Sequence, residues 1–92
     1  MVSAKFLEVP QKLFPYLEFE VKPLYNYYKR TYEDTNEIEG YTIIVTGNVG
    51  TSKFKRDLYY SLWKLDRISE EELVNSILDL CFIVVKIMSQ WI

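Results

Sequence analysis

Ser69-Glu70-Glu71-Glu72-Leu73-Val74-Asn75-Ser76-Ile77-Leu78-Asp79-Leu80-Cys81-Phe82-Ile83-Val84-Val85-Lys86-Ile87-Met88-Ser89-Gln90-Trp91-Ile92 is the stretch that decides the fold. It opens with a capping box. Ser69 stands at the N-cap and Glu72 three residues on, where each satisfies a backbone amide that the first turn leaves unpaired. The acidic first turn suits the positive end of the helix dipole, and Ile68 against Leu73 completes a hydrophobic staple. At about 100° per residue, Glu71, Glu72, Asn75, Asp79, Lys86, Ser89 and Gln90 share one polar arc. Apolar side chains fill the rest of the circumference. Two residues interrupt the polar arc, Phe82 and Ile83.

So wide an apolar face needs a cover: the rest of the fold, a second copy, or a partner. Lipid is a poor candidate, because a spanning helix takes about 20 mostly apolar residues. Here Asp79 and Lys86 bound the uninterrupted apolar run, Leu80 to Val85. Each charge costs roughly 2.5–3.5 kcal/mol near a bilayer centre. The expectation is therefore no membrane. Phe82, Ile83 and Trp91 are the predicted oligomer interface, and burying Phe82 and Ile83 between subunits is worth roughly 1.5–3 kcal/mol each.

Upstream, Leu17-Glu18-Phe19-Glu20-Val21-Lys22 alternates apolar and charged residues, the period of a half-buried strand bracketed by Pro15 and Pro23. Residues 24–32 are rich in Tyr and Thr and read as a second strand; a helix starting at Pro23 is the rival. Glu33-Asp34-Thr35-Asn36-Glu37 reads as a polar turn. Tyr41-Thr42-Ile43-Ile44-Val45-Thr46 is the most apolar strand and so the central one, ended by Gly47-Asn48-Val49-Gly50. Thr51 or Ser52 can cap a helix to about Asp66, with Phe54, Leu58, Leu62 and Leu65 on one face. Residues 5–9 fit an edge strand or a short helix stopping at Pro10, and Leu13-Phe14 reads as a core anchor. The sum is one α+β domain over residues 1–92: a small antiparallel sheet of about three strands, followed by two C-terminal helices packed on one face.

Apolar residues make up 49% of the 92, ample for a core in a chain near the lower size limit for independent folding. The net charge of −2 conceals a pattern. Residues 51–67 form a basic band between two acidic flanks. One cysteine, Cys81, allows no intrachain disulfide, and no strongly apolar leader opens the chain, so a cytoplasmic setting is expected. With no histidine, zinc and the commonest general base are both disfavoured. Carboxylate-held Mg²⁺ or Ca²⁺ is the metal chemistry left open. Alanine occurs once while Tyr, Ile, Lys and Phe abound, the bias of AT-rich coding sequence often met in small viral and mobile-element genes.

Four constellations could carry function. Lys53, Arg56, Tyr60, Lys64 and Arg67 recur at three- and four-residue steps, which on a helix gives one basic face for a nucleic acid or an acidic partner, or simply a solvated face. Tyr16, Tyr25, Tyr27, Tyr28, Tyr32 and Tyr41, with the carboxylates Glu33, Asp34, Glu37 and Glu39 beside Tyr25 to Tyr32, offer a partner face of low-entropy aromatic contacts, or a sheet packed by cross-strand aromatic pairs. Gly47 to Lys53 follows a strand like a phosphate loop, but Ser52 and Phe54 stand where that pattern needs Gly and Ser or Thr. Glu18-Phe19-Glu20-Val21-Lys22 resembles half of a restriction-type nuclease site, with only Glu8 to supply the upstream acid. Neither of the last two completes a catalytic set. The expectation is a non-enzymatic, cofactor-free interaction protein that binds a protein partner and forms a homodimer, with a nucleic-acid-binding regulator as the alternative.

Overall fold

The computed structural model describes residues 4–25 and 38–91. A 3-10 turn, Ala4–Leu7, runs into helix α1, Glu8–Leu13. Pro10 does not stop this helix. It lies in the first turn, where an amide would have no intrahelical acceptor anyway. Phe14-Pro15-Tyr16-Leu17 then reverses the chain, with the Leu17 amide donating to the Phe14 carbonyl at 3.1 Å. Pro15 presets φ at the second position of that turn.

Strand β1 spans Glu18–Tyr25, β2 Ile38–Val49 and β3 Ser52–Ser61. The sheet is antiparallel in the order β1-β2-β3. As expected, the Tyr41–Thr46 stretch lies on the central strand. Pro23 sits inside β1 opposite Tyr41 instead of ending it, because an edge strand needs only one side of its backbone for pairing. Tyr25 closes β1, so residues 24 and 25 extend the first strand; residues 26–37, where the expected second strand and polar turn fall, lie outside the described residues.

The expectation for residues 51–66 is corrected. They are not a helix but strand β3, followed by a single helical turn α2, Leu62–Leu65. The reason is geometric. Phe54, Leu58 and Leu62 are four apart, which is one helical face but also one strand face, since four is even. The tie is broken by Gly50, whose φ of 61° lets a two-residue loop join Val49 to Ser52. Pairing with β3 also satisfies the second backbone edge of β2.

Ser61 caps α2, accepting from the Lys64 amide at 3.1 Å. Helix α3 spans Glu70–Ser89, and the Glu72 amide donates to Ser69 Oγ at 3.1 Å, which realises the predicted N-cap. α3 lies across β2 and β3, and the 3-10 turn and α1 pack beside it. Ile43, Val45, Ile77, Cys81 and Val84 form the fully buried centre, with Phe6, Phe14 and Leu17 sealing one flank. The mixed α+β fold is thus a three-stranded sheet followed by C-terminal helices on one face.

Candidate interaction surface

α3 presents its apolar face to the sheet and still carries two large apolar residues on its outward arc. Phe82 is 60% exposed and Ile83 48%. The Phe82 ring meets the edge of Phe14 at 5.3 Å between centroids, and Phe14 in turn meets Tyr16 at 6.2 Å. Phe14 is buried while Tyr16, Leu13 and Val9 are exposed. The N-terminal segment therefore flanks Phe82 without covering it, and extends the apolar surface across α1. Sequence periodicity singled out Phe82 and Ile83 but not Val9 and Leu13; of the expected core anchor Leu13-Phe14 only Phe14 is buried, because Leu13 lies on the outer side of α1. Val9 and Leu13 are one helical turn apart, a spacing that would have marked them had the helix been read through Pro10.

Trp91 belongs elsewhere. It is 67% exposed, but its ring leans on Phe54 of β3 at 5.7 Å. It lies nine residues beyond Phe82, on the opposite side of the rod at about 100° per residue. The three residues expected in one interface are thus split, with Phe82 and Ile83 together and Trp91 on the sheet side.

The basic set is dispersed by the strand that replaces its helix. Lys53 points to the uncovered sheet face, while Arg56 and Tyr60 share the opposite parity with Phe54 and Leu58; Tyr60 is buried in the core. Lys64 and Arg67 follow the far end of β3, Ser61, which at 3.3 Å per residue is about 26 Å from Lys53. Arg67 stacks on Trp63 at 4.1 Å and donates to its carbonyl at 2.9 Å. No helical face unites the five. Lys53, Lys55 and Arg56 do gather on edge strand β3, where cations discourage pairing with a stray strand. Ile44, Lys55, Arg56 and Asp57 line a shallow depression beside it.

Of the expected partner face, Tyr25 and Glu39 are exposed at the ends of β1 and β2. Tyr27, Tyr28, Tyr32, Glu33, Asp34 and Glu37 lie outside the described residues. Tyr59, which sequence reasoning passed over, lays its ring against Gly40, so that a Cβ there would stand 2.8 Å from the hydroxyl.

The groups weighed for catalysis are dispersed or shielded. Glu18, Glu20 and Lys22 alternate outward on β1, and Lys22 Nζ meets Glu20 at 3.7 Å in solvent. Gly47 lies inside β2, and Lys53 follows on a strand, so no helix N-terminus faces the Gly47–Lys53 segment. Burial pushes the Cys81 thiol up to about 11, and it stays protonated and unreactive at neutral pH. Among the described residues no three metal-ligating side chains converge, and no helix is long and apolar enough to cross a membrane. Comparison with known protein families, curated proteins and solved structures finds no match.

Proposed function

We propose that this chain is a small non-enzymatic interaction protein of the inhibitor, adaptor or immunity type. It acts inside the cell by stoichiometric protein binding. The supporting observation is Phe82, an aromatic residue on the outward arc of the main helix that rests edge-on against Phe14 and stays largely exposed. With Ile83, Leu13 and Tyr16 it makes an apolar face on the helical layer, while the sheet turns Glu18, Glu20, Lys22, Lys53 and Asp57 outward on the other side. A partner gains most where aromatic and aliphatic anchors are already ordered by packing beneath them.

The alternative, nucleic-acid binding, would have to work from Lys53, Lys55 and Arg56 alone or from Lys64 and Arg67 alone. Beside the second group Trp63 is exposed, but the Arg67 guanidinium already stacks on its ring at 4.1 Å, and two cations are a small footprint for a phosphate backbone. A photo-crosslinking residue at Leu13 or Ile83, compared with one at Lys22, tests the protein-binding reading in the native host. Adducts of defined stoichiometry at the first two positions, and none at Lys22, are expected. Equal labelling at all three positions, or none at any, overturns it.

A further inference from the structure

We infer that the outward face of α3 receives a second copy of this chain, with the two α3 helices antiparallel about a twofold axis at Phe82–Ile83. The inference rests on the protein-binding reading of this face and names its occupant. Its basis is a charge pattern that is self-complementary in one orientation.

Asp79 and Lys86 stand one helical turn to either side of the Phe82–Ile83 peptide, on the same exposed arc. Neither has an opposite charge at the three- or four-residue spacing that joins neighbours on a helix. Asp79 faces Asn75, Ser76, Phe82 and Ile83 at those spacings; Lys86 faces Phe82, Ile83, Ser89 and Gln90. Among the described residues neither forms an ion pair, the only one being Lys22 with Glu20. Two unmatched charges of opposite sign therefore bracket two exposed apolar side chains.

A twofold axis lying between the two helices, perpendicular to them at the level of the Phe82–Ile83 peptide, brings Phe82 of one protomer against the partner's Phe82 and Ile83 against the partner's Ile83. The same operation sets Asp79 opposite the partner's Lys86, and Lys86 opposite the partner's Asp79. One turn further out, the amides of Asn75 and Gln90 face one another. Each contact between unlike residues occurs twice, and the like contacts fall at the axis, as an isologous interface demands. The parallel alternative would place Asp79 on Asp79 and Lys86 on Lys86, and is disfavoured by like-charge contact. Leu13 and Tyr16, on the Phe82 side, form the apolar rim against which the partner helix rests.

The test uses the purified 92-residue protein and sedimentation equilibrium over a wide concentration range. Wild type is expected to dimerise, less tightly as salt rises. Asp79→Lys alone and Lys86→Asp alone each turn both ion pairs into like-charge contacts, so each should raise the dimer Kd by about tenfold or more. Mixed one to one, those two variants should form a heterodimer, and the double variant D79K/K86D should recover the homodimer. All substituted positions are exposed on the helix, and thermal melts confirm that each variant folds. A wild type that stays monomeric throughout, a dimer indifferent to the single reversals, or a mixture that fails to pair would each overturn the twofold arrangement. If the purified chain is monomeric yet crosslinks a different protein through Ile83 in its host, the twofold pairing fails and the protein-binding reading stands.

Discussion

Replacing Gly47 by alanine tests the seat of the main helix directly. Gly47 lies in β2 under the C-terminal half of α3. A Cβ there would collide with Met88 Sδ and stand 2.9 Å from Val84 Cγ1 and 3.2 Å from Leu17 Cδ2. The Met88 sulfur sits on a flexible stem and can move aside. Val84 is β-branched and wholly buried, and cannot do so without shifting the helix. Overpacking of this kind costs about 1–3 kcal/mol. Alanine restricts the unfolded chain and returns about 0.4–1 kcal/mol, so the net loss should be about 1–2 kcal/mol. In a domain of this size that lowers Tm by about 4–8 °C per kcal/mol, and urea denaturation followed by circular dichroism should show the midpoint falling with m unchanged. The cost should shrink in a Val84→Ala background, where the unyielding partner in the collision is gone. A Gly47→Ala protein as stable as wild type, or more so, would mean that α3 does not rest on β2 at this point, and the described core would be wrong there.

Ser69→Ala removes the acceptor for the Glu72 amide and should cost about 1 kcal/mol, read as a drop in Tm, while Ser69→Asp should retain most of the stability; equal loss in both variants would refute the capping role. Alkaline stability should depend on Cys81. Its thiol titrates near 9 when unfolded and about 11 when buried, so the unfolded state releases the proton first. Stability is then undiminished below pH 9 and falls between pH 9 and 11, by an amount of order 2 kcal/mol. Cys81→Ala should have a lower Tm at neutral pH but a flatter decline over that window, and parallel curves for the two proteins would refute the assignment.

Some features are legible from neighbours along the chain. The start of α3 needs only Ser69, the acids after it and the apolar periodicity beyond, and all of those contacts close within one or two turns. The alternation at Leu17–Lys22 and the apolar run at Tyr41–Thr46 likewise name their own period. Phe82 and Ile83 stand out because a helix, once located, assigns every residue a bearing.

Tertiary structure decided the rest. Residues 52–61 could satisfy either period with Phe54 and Leu58, and only the unmet hydrogen-bonding edge of β2, together with the positive φ available at Gly50, made them a strand. That choice moved Tyr60 into the core and parted Lys53 from Lys64, dissolving a basic face that existed only on a helix. Gly47 passed for a turn residue because the feature that requires a glycine, a helix crossing close above the sheet, is almost forty residues away in sequence. Helix caps and amphipathic arcs are set by local bonding. Strand pairing and close approach are set by which distant backbone still needs a partner, and that demand is not written in any one segment.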